Sequence, residues 1–181
     1  MAKYTLSHNA GKKLGQYFMD IMFHHLHPSK NENILDPTCG KKYLWDNFTI
    51  PDSDNNIPLN KYKNVIFSDI AELGQDLVSD VKDLTFDYLF DGIVYDPPYF
   101  FGYAGSTDPR RNDYGDYLQT YDDLLRFMQI ANNHLYDMLV DNGKLIVKCA
   151  DQYNTKERKF YAHHVKWINT LSNFKFIDQL I

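Results

Sequence analysis

Two patterns of apolar residues alternate along this chain. Short apolar runs, the mark of strands buried on both faces, predict strands over residues 33–36, 64–68, 76–79, 92–95 and 144–148, and residues 174–181 read as a last strand. Other stretches place apolar residues three and four apart, as one face of a helix requires. Leu14, Tyr17, Phe18, Ile21, Met22 and Leu26 predict a helix over 12–27 that Pro28 ends, and Leu124, Leu125, Met128, Ala131, Leu135, Met138 and Leu139 predict one over 120–140. Phe160, His164, Trp167, Ile168 and Leu171 give a helical pattern over 156–171, and a short helix over 41–48 carries Tyr43, Leu44 and Trp45. Residues 49–63, rich in Asn, Asp and Pro, read as a surface loop. Residues 100–118 are rich in Gly, Asp, Arg and Tyr, and so long a connection inside a compact domain is usually functional.

Strands alternating with helices predict an α/β fold: a doubly wound, mostly parallel sheet of about six strands with helices on both faces. With no repeat, low-complexity tract or linker, residues 1–181 read as one domain. In such sheets ligands bind outside the carboxyl ends of the strands. Four strands in succession end in an aspartate, Asp36, Asp69, Asp80 and Asp96. That convergence of carboxylates on one sheet edge is the strongest architectural signal in the chain.

Composition narrows this picture. The 181 residues are 44% hydrophobic, enough for one sizeable core. No long apolar run predicts a membrane span, and the N-terminus has no apolar signal-peptide core. Two cysteines, Cys39 and Cys149, set up no disulfide framework, which makes a reducing cytoplasm the default location. The net charge of −5 argues against a large basic face, although Lys41-Lys42 and Arg110-Arg111 are locally basic. His24, His25 and His27 have no second cluster to complete a metal site, so no metal is expected. Cys39 has no evident base and reads as a small packing residue.

The chemistry gathers at Asp96-Pro97-Pro98-Tyr99. Neither proline can continue a central strand, and Asp96 before a proline is held extended. The tip therefore offers a carboxylate, carbonyls without neighbouring donors, and an aromatic ring, a combination suited to gripping a planar NH2-bearing group. Upstream, Gly40 after Asp36-Pro37-Thr38-Cys39 lets a ligand approach the backbone closely. Asp69 is placed to accept from a ribose diol and Asp80 from an exocyclic amine.

Taken in order, ILDPTCG, SDI, SDV and DPPY resemble the class I S-adenosylmethionine-dependent amino-methyltransferases, which include the DNA N6-adenine and N4-cytosine methylases. The resemblance covers roughly residues 14–181 and implies a Rossmann-like class I methyltransferase fold. It implies S-adenosyl-L-methionine as cofactor: Asp36, Pro37, Thr38 and Gly40 at its amino-acid end, Asp69 on the ribose with Ile70 against adenine, and Asp80 with Val81 at the adenine edge. It further implies that Asp96 and the Pro97 carbonyl, in the rigid frame of Pro98, accept the two N–H bonds of the target amine while Tyr99 stacks on the base. Phe100, Phe101, Tyr103, Arg110 and Arg111, extended by Tyr114 and Tyr117, would then meet a nucleic acid; Phe100, Phe101 and Tyr103 have core filling as their competing reading. Lys148 and Asp151 fall on the same edge with a weaker claim.

DNA is the preferred polymer and N6 of adenine the preferred target, as in restriction-modification or mobile-element methylases. An RNA base methyltransferase (adenine N6 or guanine N2) is the main alternative. A non-catalytic nucleic-acid-binding subunit, or an enzyme methylating a glutamine amide, is the lesser one. The chain departs from the family pattern in three ways: Gly40-Lys41 replaces Gly-x-Gly, no target-recognition domain is visible, and no seventh strand follows residues 174–181. Specificity would then come from a partner or a dimer mate.

Overall fold

The computed structural model describes residues 25–26, 32–45, 49–51, 56–58, 64–102, 118–154 and 157–177. Its centre is a five-stranded sheet built from β1 (Ile34–Asp36), β4 (Val65–Asp69), β5 (Leu77–Val78), β6 (Phe90–Tyr95) and β7 (Leu139–Val147). Two small antiparallel hairpins stand apart from it: β2 (Thr49–Pro51) with β3 (Asn56–Pro58), and β8 (Gln152–Asn154) with β9 (Lys159–Tyr161). The sheet order is β5-β4-β1-β6-β7, and every pairing in it is parallel.

Alternation along the central strands sends neighbours to opposite faces, and each face has its own core. Leu35, Ile93 and Tyr95 face helix α1 (Tyr121–Asp137) and helix α2 (His163–Thr170), packing with Leu124, Met128, Leu135 and Trp167. Ile34, Val65, Phe67 and Val94 face the other way, onto Leu26 and Trp45. Burying such side chains stabilises the fold by about 1.5–3 kcal/mol each. Leu26 packs closely on β6: a Cβ on Gly92 would lie 2.3 Å from Leu26 Cδ2, so any larger residue there would force that side chain to move.

Helix α1 begins where a capping box allows it: Thr120 accepts from the Asp123 N–H, and the Asp123 carboxylate accepts from the Thr120 N–H. Leu124, Met128, Ala131 and Leu135 of the predicted stripe are buried, joined by Phe127 and Asn132, while Leu125 is only partly buried.

Several expectations need correction. Within residues 49–63, Thr49–Pro51 and Asn56–Pro58 pair as a hairpin rather than a plain loop. Residues 41–45 form turns, not a helix. The helix expected from residue 156 starts only at His163, because Lys159–Tyr161 is a strand paired with Gln152–Asn154. No strand forms over residues 174–177, so the sheet has five strands among the described residues, not six. The helix expected over 12–27 lies outside the described residues apart from His25 and Leu26, with His25 helical.

Candidate functional site

The sheet order reverses direction between β1 and β6, the point at which open parallel sheets form a crevice at their carboxyl edge. The turn after β1 forms one wall. Asp36 is 1% exposed; its Oδ1 accepts from the Thr38 N–H at 3.1 Å and its Oδ2 from Trp45 Nε1 at 2.6 Å. Burial pushes its carboxyl up to about 7, against the pull of those two donors, and the charges of Asp96 and Asp69 push the same way. Asp36 thus shapes the turn from beneath, with Pro37 buried beside it. Cys39 is buried too, and burial followed by the charges of Asp36 and Asp69 raises its thiol to about 12. Gly40 adopts φ +51°, and the space a Cβ would occupy is clear for 4 Å, so the turn can be approached closely from above.

Asp69 ends β4 and ties that wall to the next strand. Its Oδ2 accepts from the Gly40 N–H at 2.8 Å and its Oδ1 from the Ala71 N–H at 3.0 Å. Each oxygen keeps a further lone pair for a ligand. Ile70, directly after it, is 51% exposed, an apolar surface beside a carboxylate. Asp80 caps the 3-10 turn Val81–Asp83 by accepting from the Lys82 N–H at 3.1 Å, and pairs with Lys82 Nζ at 3.2 Å. Val81 is 4% exposed and packs in the core with Leu35 and Leu84. The Val81 backbone stands in the 3-10 turn that Asp80 caps.

At the tip of β6, Asp96 faces this wall. Its N–H donates to Thr38 Oγ1 at 2.9 Å, and its Oδ2 accepts from Lys148 Nζ at 2.5 Å. Its Oδ1 is buried and has no hydrogen-bond partner. Burial raises the Asp96 carboxyl above the ordinary carboxylate range, and Lys148 pulls it back down. Lys148 follows β7, where its N–H donates to the Tyr95 carbonyl at 2.8 Å. The same ammonium lies 5.6 Å from the centre of the Tyr99 ring. Pro97 is buried, and Pro98, Tyr99 and Phe100 are half-buried, with the rings of Tyr99 and Phe100 4.8 Å apart.

Phe101 corrects the sequence reading. It is 6% exposed and packs edge-on against Tyr161 at 5.1 Å, with Tyr121 at 5.5 Å, so it belongs to the core rather than to a substrate surface. Beside it, a cleft of about 350 Å³ is lined by Phe101, Thr120, Tyr121, Glu157, Lys159 and Tyr161. Asp151 pairs with His164 Nδ1 at 2.7 Å. Tyr103, Arg110, Arg111, Tyr114 and Tyr117 lie outside the described residues. Among the described residues no His, Cys, Asp and Glu gather into a metal-binding group, and no helix is long and apolar enough to cross a membrane.

The crevice thus brings together Thr38, Gly40, Asp69, Ile70, Asp96 and Tyr99. Two further residues support these from behind. Lys148 lies 52 residues from Asp96, and only the parallel pairing of β6 with β7 puts them together. Trp45 read as an apolar helix residue, yet its indole N–H is what holds Asp36.

The strand order and the crevice define the class I methyltransferase fold. The chain matches no protein-family model and no curated protein sequence. Among solved structures it is similar to the N-methyltransferase NodS from Bradyrhizobium japonicum WM9, at 16% identity and a TM-score of 0.52 over 87% of this chain and 80% of that one. DesVI from Streptomyces venezuelae matches at 15% identity and a TM-score of 0.47 over 77% of this chain, which spans 52% of that protein. The methyltransferase subunit of a type I restriction-modification system from Streptococcus thermophilus matches at 17% identity and a TM-score of 0.40, over 76% of this chain and 34% of its own. The first of these carries the fold assignment.

Proposed function

We propose that the chain is an S-adenosylmethionine-dependent methyltransferase acting on an exocyclic amino group of a nucleic-acid base, with N6 of adenine in DNA as the target. The observation that carries this reading is Asp96 Oδ1, a buried carboxylate oxygen without a donor at the tip of a DPPY turn. A buried acceptor left unpaired costs about 1–3 kcal/mol, and the N–H of a bound amine would satisfy it.

The residues present fit the cofactor. The open approach over Gly40 suits its amino-acid end, the free lone pairs of Asp69 suit a ribose diol, and exposed Ile70 suits the face of an adenine ring. Asp36 supports this pocket from below, and Asp80 flanks it from the end of β5. When bound, S-adenosylmethionine supplies an electrophilic methyl group on a sulfonium.

The chain's own part is orientation. A base amine is a poor nucleophile because its lone pair is delocalised into the ring. Asp96 and the Pro97 carbonyl, accepting its two N–H bonds, favour a pyramidal nitrogen whose lone pair is free to attack, and fixing that geometry lowers the barrier. Tyr99 stacks on the base, which supports the reading of a flipped or single-stranded nucleotide. Arg110, Arg111 and Tyr103 are assigned to the polymer on sequence alone.

A second reading, methylation of a small-molecule amine, is favoured by the similarity in fold to an N-methyltransferase. Radiolabelled methyl transfer to DNA, total RNA and aliphatic amino sugars separates these readings. Transfer to DNA, with N6-methyladenine found by mass spectrometry in the DNA of an expressing host, is the expected result. Transfer to RNA or amino sugars alone would overturn the choice of substrate, and failure to bind S-adenosylmethionine would overturn the enzyme reading.

A further inference from the structure

Lys148 is placed to do more than neutralise a neighbour. Its Nζ occupies Asp96 Oδ2 at 2.5 Å, leaving Oδ1 as the oxygen without a partner. It is also 5.6 Å from the Tyr99 ring centre, so one cation lies close to both the proposed amine acceptor and the proposed base platform. Both charged side chains are about three-quarters buried, at 26% and 23% exposure, where screening by water is weak.

Two titratable neighbours feel the charge of Asp96. Asp36, from the turn after β1, is raised in part by the charge of Asp96, and Cys149, after β7, feels it as well. Burial works against an ionised Asp96, and the charge and hydrogen bond of Lys148 favour it. An ionised Asp96 accepts only, whereas a protonated one carries an O–H that would compete with the amine for position.

From this geometry we infer that Lys148 is the positioning and specificity-determining residue of the DPPY site, holding Asp96 as an anionic acceptor through Oδ2 and excluding amines that carry their own positive charge. The inference rests on the functional reading above. An aliphatic amine is protonated near neutral pH; an ammonium at Asp96 Oδ1 would meet a second ammonium across the same carboxylate. A ring-conjugated amine is uncharged and meets no such repulsion. Lys148 therefore adapts a fold shared with an N-methyltransferase to a neutral amine, and the selectivity is set by one side chain.

Two measurements test this, and they can fail separately. In the first, the Asp96 carboxyl is titrated by carbon-13 NMR in the wild type, Lys148→Met and Lys148→Arg proteins. This readout needs no turnover. Lys148→Met should move the titration up by about one to three pH units, the usual effect of an adjacent cation, and Lys148→Arg should restore it. An unmoved titration in a folded Lys148→Met protein would overturn the positioning role. In the second, kcat/KM is compared for a base amine and an aliphatic amino sugar. Lys148→Met should shift the ratio toward the aliphatic amine by about tenfold or more, equivalent to 1.4 kcal/mol or more, and raise the acid limb of the pH profile with the base. The double variant with Asp96→Asn should lose that pH response. An unchanged ratio overturns the selectivity, whereas absence of transfer to any base, with the NMR shift present, would overturn the functional reading and leave the pairing intact.

Discussion

Thr38 Oγ1 accepts the backbone N–H of Asp96 at 2.9 Å, so the turn after β1 and the tip of β6 are joined by one hydrogen bond across the crevice. The residue that shapes the proposed cofactor turn also fixes where the proposed amine acceptor begins. Thr38→Val keeps the shape and removes the acceptor, leaving a partly buried N–H unpaired at a cost of about 1–3 kcal/mol. The expected outcome is a lower unfolding midpoint and a fall in kcat larger than the fall in S-adenosylmethionine affinity, with Thr38→Ser restoring both. Calorimetric binding beside steady-state kinetics checks it; equal losses in affinity and kcat would show that the bond does not transmit position.

Neighbouring aromatics should separate cleanly by assay. Phe101→Ala removes a ring packed in the core and should destabilise the fold by about 3–5 kcal/mol. Tyr99→Ala, at a half-buried ring, should leave the melting temperature nearly unchanged while methyl transfer drops, since stacking on a base is worth about 1–3 kcal/mol. Thermal unfolding and activity of both variants decide the matter, and an active, stable Phe101→Ala protein would return Phe101 to the substrate surface.

Asp36 predicts a pH dependence of stability. Burial lifts its folded-state value from 3.8 to about 7, so its contribution is fully present below the unfolded value and is lost as pH rises through the folded one. Between about pH 4 and 7 the folded chain therefore binds more protons at this residue than the unfolded chain does. Denaturant midpoints measured across that window should rise more steeply with pH in Asp36→Asn than in the wild type. Parallel slopes in the two proteins would refute the raised value.

His163 acts in the opposite sense. It is fully buried against Phe101, Tyr121 and Tyr161, neither ring nitrogen has a hydrogen-bond partner, and burial lowers it from 6.5. Its neutral form is favoured on folding, so its contribution is present above the unfolded value and lost as pH falls toward the folded one. His163→Phe should therefore flatten the decline in stability below about pH 6.5, and at pH 7 the swap should be neutral or stabilising because two unpaired nitrogens disappear. Melting curves from pH 5 to 8 test this; a wild-type-like acid decline would assign that decline to other groups.

The strand-terminal aspartates made the crevice legible, because unbroken apolar runs with period-breaking residues at their ends are a local signal. They located the ends of β1, β4 and β6 and left only the length of each strand to adjust. What could not be read depended on partners distant in sequence. The run Tyr99-Phe100-Phe101 alternates too briefly to say which ring faces inward; contact with Tyr121 and Tyr161 decides it. The helical spacing from Phe160 to Leu171 also fits a strand followed by a helix, and pairing with Gln152–Asn154 selects the strand. Around Asn142, whose φ is +63°, the turn-like sequence Asp141-Asn142-Gly143 hid that β7 already begins at Leu139 and resumes regular pairing at Lys144.

The Gly102 N–H donates to the Leu118 carbonyl at 2.8 Å, which pins the backbone after β6 to the backbone before α1. Loop length costs little once the ends are held together. The number of residues between Gly102 and Leu118 could therefore change without moving β6 or α1.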